Sequence, residues 1–469
     1  MLGGLTCRNS LVEMNKSVQP LIFLRSTDSK DIRMKHFQST ILSFSIAICA
    51  LVHPALGQEG VMQGVPASAD SQVTLMNQAI APYSRWGFRN MSVQSSVMVP
   101  RGGPIVDIPY GDPIDIEPLE FEHDGKRMTV LDALEAENTD GFIVIKNGKI
   151  VYERYFGGFQ ANSHHLWASS TKSLISMAAG ILMADGRLDP QEKIKVYIPE
   201  LADGAFADLT VQQVMNMVSA LNYSEDYADL RPGTVHYEYF RRLGLTPAFD
   251  LMQVDPQTDS TPRSTLEFLP QFEGNPDLEP SYVFEYHSPN VDVIGWLIAR
   301  ISGMPLNEFV SENIWSKIGA EHDAYFTTDV GFVPIATGGF NTTLRDFARF
   351  GLAVLDGGTF NGVRVFPEEY TLSIQAATDE EITFTDRSAY KGEGSASYDA
   401  LLQAYRNFWW IHDRAKGVFT ARGVYGQVLY VDRTSNTVIA TFSSAPTASN
   451  AQRPENHAKM AAMKLISEM

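Results

Sequence analysis

The sequence predicts an α+β fold in which strands from both ends of the chain form one antiparallel sheet flanked by helices. Three observations predict it: strand patterns near residue 150, further strand patterns near residue 430, and helical patterns between them. The helical patterns predict a mostly helical lobe inserted at about residues 190–400. A chain of 469 residues with 44% apolar residues can bury a core large enough for this fold.

Turn residues mark the two strand pairs. In "DGFIVIKNGKIVYERYF", Asp140 to Phe156, two β-branched and aromatic runs flank Asn147-Gly148. This dipeptide is favoured in two-residue hairpin turns, so the segment predicts a hairpin. The segment 417–445 alternates like a strand, turns at "RTSN" and resumes as a second strand. A site is expected in the crevice between the sheet and the helical lobe.

Helices are predicted from apolar periodicity. From Thr171 onward apolar residues fill a broad helical face, and Gly186 is placed to end that helix. Similar patterns occupy three later segments and the end of the chain: 210–219, 291–302, 344–355 and about 451–468.

The N-terminal part divides into a leader and an arm. Residues Met34 to Gly57 resemble a signal peptide, with a positive start, an apolar run too short to span a bilayer, and small residues before Gln58. We expect translation to start at Met34, an exported periplasmic or secreted protein, and no stable membrane anchor after cleavage. A buried helix is the alternative for the apolar run. Residues 58–130 are rich in Pro, Gly and Ser and predict an extended arm over a main domain at 131–469.

Charge and cysteine content exclude several functions. A mature chain from Gln58 lacks six basic and three acidic residues of the leader, so its formal charge is -21 instead of -18. Nucleic acid and anionic membranes are therefore poor partners. Both cysteines, Cys7 and Cys49, precede Gln58, which excludes a thiol nucleophile, a thiolate zinc site and a disulfide framework in the mature protein.

The main candidate for chemistry is the segment "SSTKS". Ser169 and Lys172 lie three positions apart, hence on one face of a helix, where a lysine of lowered pKa can activate a serine. Helix capping is the alternative for Ser169, because serine is a common N-cap. Ser388 and Lys391 have the same spacing but lie in a polar segment with no following helix, so we regard them as a chance match.

Two further motifs follow in order. Tyr286 precedes a predicted helix by a few residues, with Ser288 two positions later, and Gly423 lies in a predicted strand. Core packing is the alternative for Tyr286, and helix capping is the alternative for Ser288.

Together these motifs resemble the serine β-lactamase and penicillin-binding protein superfamily. The resemblance is strongest to its class C-like branch, which includes 6-aminohexanoate-dimer hydrolases and family VIII carboxylesterases, and it covers Leu131 to the C-terminus. It rests on "DGFIVIKNGKIVYERYF", "SSTKS", "YIPEL", "EYHSPNVDVIGWLIARISG", "GGFNTTLRDFARFG" and "GVYGQVLYVD".

The resemblance implies a β-lactamase-like fold and roles for particular residues. Ser169 matches the acyl-accepting nucleophile, Lys172 its proton-shuttling partner, and Tyr286 the general base in acylation and the acid toward the leaving group. The backbone N–H groups of Ser169 and Val424 match the oxyanion hole. The implied activity is hydrolysis of an ester or small linear amide, without a metal or organic cofactor.

Substrate contacts are implied for three residues, Ser288, Gly423 and Tyr227. Asp226 or Glu225, beside Tyr227, could bind an ammonium group. The aromatic cluster of Phe408, Trp409 and Trp410 is more typical of a protein core than of a pocket.

The sequence departs from the family at two motifs. The basic residue two positions before the third-motif glycine is replaced by Ala421, with Arg422 next to it, and the second motif reads Tyr-x-Ser rather than Tyr-x-Asn. Both departures favour an esterase or linear amidase. A β-lactamase or D-alanyl-D-alanine carboxypeptidase, and a non-catalytic penicillin-binding-like sensor, stay open as alternatives. No Gly-x-Ser-x-Gly or His-Glu-x-x-His motif occurs, which disfavours an α/β-hydrolase triad and a metallohydrolase.

Overall fold

The described part of the chain forms an α+β fold with one large sheet. A computed structural model describes residues 60–389 apart from 228 and 230, residues 402–448 and residues 454–469, with side chains in the last segment from 458. The expected leader and the start at Met34 lie outside the described residues. No helix in the described ranges is long and apolar enough to cross a bilayer.

Fifteen strands are described, and they are numbered in chain order. They are β1 Ser96–Val99, β2 Glu120–His123, β3 Lys126–Thr129, β4 Thr139–Lys146, β5 Lys149–Tyr155, β6 His165–Leu166, β7 Ala324–Thr327, β8 Phe340–Thr342, β9 Thr359–Phe360, β10 Val363–Arg364, β11 Ala404–Arg406, β12 Trp409–Asp413, β13 Val418–Gly423, β14 Gln427–Asp432 and β15 Thr437–Ser443.

Thirteen α-helices are described. They are α1 Ser84–Arg89, α2 Val130–Ala136, α3 Thr171–Ala184, α4 Ile194–Tyr197, α5 Val211–Met215, α6 Val235–Arg242, α7 Thr265–Phe268, α8 Pro289–Ser302, α9 Leu306–Val310, α10 Leu344–Leu355, α11 Glu368–Ser373, α12 Asp379–Asp386 and α13 Pro454–Ser467.

The large sheet joins strands from both ends of the chain. Its seven strands run in the order β11-β12-β13-β14-β15-β4-β5, and all its pairs are antiparallel. Val144 of β4 lies opposite Ile439 of β15. The predicted hairpin is confirmed: Asn147 and Gly148 connect β4 to β5, and both have positive φ, 52° and 74°, as this turn requires.

The second strand pattern folds differently from the prediction. The run from residue 417 contains two strands rather than one, because the chain reverses between β13 and β14. Tyr425 and Gly426 at this reversal have φ values of 64° and 91°. The later turn at "RTSN" joins β14 to β15 as predicted.

Alternation along the strands separates two core layers. In β4, Phe142 and Val144 pack toward the face that also contacts Met463 of α13, while Ile143 and Ile145 pack toward the face that contacts Phe347 of α10. The sheet is therefore covered on both faces.

The predicted helices agree with the structure to different degrees. The helix 344–355 matches α10, and α3 ends at Ala184 just before Gly186, whose φ is 69°. The helix 291–302 begins two residues earlier, at Pro289, and 210–219 shortens to α5 because Met217 and Ala220 adopt positive φ. Part of the predicted closing helix lies outside the described residues.

The arm contains more regular structure than predicted. Residues 60–130 hold α1 and three short strands, although the sequence predicted an extended segment. Strand β1 pairs with β7, in a four-stranded sheet of order β1-β7-β8-β6. The partner of β1 lies far along the chain, so local periodicity carries no signal for it.

A buried ionic cluster fixes α1 to the main sheet. Asp140 of β4 is fully buried and accepts hydrogen bonds from Arg85, Arg89, His165 and Ser444. Burial raises the pKa of Asp140, but the bond from His165 and the positive charges nearby outweigh it and hold the pKa well below its usual range. The arm is thus held at a defined place against the fold.

Candidate active site

Ser169 lies in a 3-10 turn, Ala168–Ser170, that leads into α3. The turn begins with Ala168 at a φ of 47°, a left-handed conformation that is strained for a residue with a Cβ atom. The N-cap of α3 is Ser170, and no side chain caps the helix. The Ser169 side chain therefore does not act as the cap that the alternative interpretation supposed.

Lys172 is the closest polar partner of Ser169. Its amine is buried and donates hydrogen bonds to Ser169 Oγ at 2.9 Å, Thr337 O at 2.8 Å and Thr337 Oγ1 at 2.9 Å. Burial lowers the pKa of Lys172 to about 8, while the negative charges of Glu225 and Asp292 oppose that shift. A neutral amine next to the serine hydroxyl is therefore accessible near neutral pH.

Thr337 connects Lys172 to a buried acid that the sequence analysis missed. The Thr337 N–H donates to Asp292 at 3.2 Å, and the Tyr239 hydroxyl donates to the same carboxylate. Burial raises the pKa of Asp292 to about 7. The sequence could have indicated Asp292, because a carboxylate inside the apolar helix "NVDVIGWLI" is unusual. No local pattern in the sequence marks Thr337.

Tyr286 lies beside the Lys172 amine. The amine is 5.1 Å from the centre of the Tyr286 ring, which stacks on Trp410 at 5.5 Å and meets Tyr405 edge-on. The structure thus brings Ser169, Lys172 and Tyr286 together, as the resemblance implied.

The aromatic cluster of β12 is buried, as the sequence predicted. Phe408, Trp409 and Trp410 all belong to the main core. Trp410 also stacks on Tyr286, which the sequence did not predict.

Arg422 places its guanidinium over the same Trp410 ring, 5.3 Å from its centre, and is buried there. Among the described residues, the cavity lining does not include Arg422.

Gly423 allows β13 to approach the serine turn. A Cβ atom at Gly423 would lie 2.4 Å from the carbonyl oxygen of Trp167 and 3.1 Å from the Cβ of Ala168. Only glycine fits this contact. Because β13 lies this close to the turn, the next residue, Val424, lines the cavity that also contains Ser169.

Ser288 binds a carboxylate instead of capping α8. Its N–H and hydroxyl both donate to Glu225, at 2.6 and 2.7 Å, and the Tyr227 hydroxyl donates to the same carboxylate. Glu225, Tyr227 and Ser288 all line the cavity, while Asp226 is exposed. An ammonium site at Glu225 or Asp226 stays a prediction. Sequence reasoning missed the bond between Ser288 and Glu225, which joins segments far apart in the chain.

The chance match at Ser388 follows α12, and its partner Lys391 lies outside the described residues.

Within the described ranges, no group of three His, Cys, Asp or Glu residues is placed to hold a metal ion.

The cavity has a volume of about 340 Å³, within the usual range for small-molecule sites, and its lining includes Ser169, Lys172, Glu225, Tyr227, Ser288 and Val424. The arrangement can support nucleophilic catalysis, because the Ser169 hydroxyl lies at hydrogen-bond distance from a buried amine of lowered pKa, and that amine lies beside the ring of a tyrosine. Ser169 follows directly on the strained first residue of its turn, where N–H groups lack helical partners. An oxyanion can be held at such a position.

Comparison with known proteins assigns the family. The family described as Beta-lactamase matches residues 131–462. The chain belongs to this family. It is 31% identical over 389 residues to the 6-aminohexanoate-dimer hydrolase of Paenarthrobacter ureafaciens, covering 81% of this chain and 90% of that protein.

Solved structures agree with the assignment. "Putative 6-aminohexanoate-dimer hydrolase from Bacillus anthracis" is 29% identical with a TM-score of 0.72, covering 85% of this chain and 97% of the other. "Crystal structure of putative beta-lactamase from Bacteroides dorei DSM 17855" shares the fold: it is 16% identical with a TM-score of 0.51, covering 72% of this chain and 97% of the other. The chain is a serine hydrolase of the β-lactamase and penicillin-binding protein superfamily with its α+β fold, which confirms the predicted family, fold and enzyme class.

We expect Gly423→Ala to disturb the serine turn. The added Cβ would meet the Trp167 carbonyl oxygen, so we expect a loss of about 1–3 kcal/mol in the free energy of unfolding. Urea unfolding measures it. Gly274→Ala is the control, because a Cβ there meets nothing within 4 Å and its φ is not positive. Equal unfolding midpoints for the two variants would contradict the proposed contact.

Proposed function

We propose that the protein hydrolyses an ester or a small linear amide through an acyl-enzyme on Ser169. The hydrogen bond of 2.9 Å from the buried Lys172 amine to Ser169 Oγ supports this proposal most directly. The lowered pKa of that amine supports it as well, because a neutral lysine can accept the serine proton.

Acylation proceeds by attack of Ser169 Oγ on the substrate carbonyl carbon while its proton passes to Lys172 and Tyr286. The N–H groups of Ser169 and Val424 stabilise the carbonyl oxygen as it becomes negative. The bond to the leaving alcohol or amine then breaks, and Tyr286 with Lys172 returns the proton to it. Water then attacks the acyl carbon while Tyr286 and Lys172 take its proton. The bond between the acyl group and Ser169 Oγ breaks, the proton returns to Oγ, and the acid is released.

An ester or linear amide is favoured over a penicillin because of the third motif. Ala421 is a buried alanine, so it supplies no cation for a penicillin carboxylate. The neighbouring Arg422 is buried against Trp410 rather than placed in the cavity lining described. The relative from Paenarthrobacter ureafaciens is named 6-aminohexanoate-dimer hydrolase, and such a dimer is joined by a linear amide bond, which agrees with this choice.

We also propose that the protein is exported to the periplasm or beyond it, and that its partner is a small-molecule substrate. The leader-like segment ending at Gly57 supports export. Expression from Met34 in a bacterial host should yield a protein outside the cytoplasm whose N-terminal sequence begins at Gln58. A protein retained in the cytoplasm with an intact leader would contradict export.

Substitution of the nucleophile tests the reaction. We expect Ser169→Ala to lower kcat/KM by several orders of magnitude on p-nitrophenyl butyrate or 6-aminohexanoate dimer, because the acyl-enzyme cannot form. Both proteins are assayed with these substrates and with nitrocefin. Rapid turnover of nitrocefin would favour the β-lactamase alternative. A stable adduct without product, seen by mass spectrometry, would favour the sensor.

The pH dependence tests the role of the buried amine. We expect kcat/KM for the ester to rise with pH with a midpoint near 8, as Lys172 loses its proton. Asp292→Asn removes a negative charge that stabilises the ammonium form, so the midpoint should move to lower pH. The pH profile of each protein measures the shift, with thermal unfolding as a check on folding. An unchanged midpoint in a folded variant would show that Asp292 does not act on the amine.

A further inference from the structure

The arm forms one side of the active-site cavity. Six of its apolar side chains line the cavity that contains Ser169, and we call them the arm wall. They are Leu75, Met76, Ala79, Ile80, Phe88 and Met91.

The arm wall is held in place from two directions. Arg85 and Arg89 of α1 bond to the buried carboxylate of Asp140. The turn before α1 packs closely on the helix, because a Cβ at Gly87 would lie 2.2 Å from the carbonyl oxygen of Gln78. These contacts therefore hold the arm wall at a defined position in the site.

The arm wall continues into the reacting residues. Phe88 packs on the ring of Tyr425, 4.7 Å between ring centres, and Tyr425 directly follows Val424. The cavity lining also includes apolar residues of α6 and the turn after it, Phe240, Leu243 and Leu245. An apolar channel thus begins at the place where the substrate carbonyl would lie.

Part of the arm wall is exposed in the free protein. Leu75, Met76 and Ile80 keep 47%, 62% and 57% of their surface accessible. Exposed apolar side chains that line a cavity commonly mark a surface that a ligand covers. Among the described residues of the lining, Lys172 is the only basic side chain, and its three hydrogen bonds are already made within the protein.

We propose that the arm wall binds the acyl chain of the substrate, and that this chain is apolar, several carbons long and without a terminal carboxylate. The proposal rests on the proposed function. The acyl side is assigned from two ring contacts. Phe88 of the wall packs on Tyr425, next to Val424, whereas the ring of Tyr286, the residue that protonates the leaving group in that mechanism, packs on Trp410 and Tyr405 away from the wall residues. The leaving group therefore lies toward Tyr286 and the acyl chain toward the arm.

Chain length is the first test, with the full-length protein and p-nitrophenyl acetate, butyrate, hexanoate and octanoate. We expect kcat/KM to rise by up to about fourfold for each added methylene until the wall is covered, since each buried methylene adds hydrophobic stabilisation. p-Nitrophenyl hexanoate should also exceed mono-p-nitrophenyl adipate, which carries a carboxylate at the end of a chain of the same length, by at least about tenfold. A flat series, or equal rates on hexanoate and adipate, would overturn the proposal.

Introducing a charge into the wall is the second test. Ile80→Lys should lower kcat/KM on octanoate by about tenfold or more, leave acetate within about twofold, and raise the ratio of adipate to hexanoate. Val93→Lys is the matched control, because Val93 is a 68% exposed residue of the same arm outside the cavity lining. It should leave the whole series unchanged. An equal loss on acetate and octanoate in Ile80→Lys would assign the arm a purely structural role and overturn the proposal.

Failure of the wall and failure of the proposed reaction are distinguishable. A fluorophosphonate probe labels an activated serine regardless of chain preference, and mass spectrometry locates the label. Labelling at Ser169 with a flat ester series overturns the arm wall alone. No labelling and no turnover of any ester or of 6-aminohexanoate dimer overturns the proposed function, and the arm wall with it.

Discussion

The buried amine of Lys172 is the group on which the geometry of the site depends. A charged amine removed from water is stable only when its donors are satisfied, and here three acceptors do so: one on Ser169 and two on Thr337. Thr337 is itself held through its N–H by Asp292 of α8. Three separate parts of the chain must therefore meet before the serine has its partner.

A second constraint acts on the backbone. The strained turn at Ala168 persists because β13 packs directly against it, and that contact exists only because residue 423 has no side chain. The next residue, Val424, lines the same cavity as Ser169. One contact between a turn and a strand thus sets the position of the Ser169 hydroxyl relative to Val424.

The sequence predicted those parts of the fold that have a local signal. The hairpin at Asn147-Gly148 and the helix that begins at Thr171 follow from turn chemistry and apolar periodicity, and the spacing of Ser169 and Lys172 follows from the helix. Thr337 is 165 residues from Lys172, and no local pattern marks it. The reversal at Tyr425 was missed because its flanking strands alternate as one continuous run. The arm was predicted as extended because the partners of α1 and β1 lie in other segments, at Asp140 and in β7.

The order of the strands in the sheet determines when the surroundings of Ser169 can form during synthesis of the chain. Strand β4 is made early and pairs with β15, one of the last segments of the chain, and the contact with Gly423 also waits for the final part of synthesis. Contacts between such distant segments form late, because the intervening chain must first be complete. A partly synthesised chain therefore contains Ser169 and Lys172 at the start of α3 but lacks β13, so the contact between Gly423 and the serine turn cannot yet form. The surroundings of Ser169 are therefore completed by segments that are made late in synthesis.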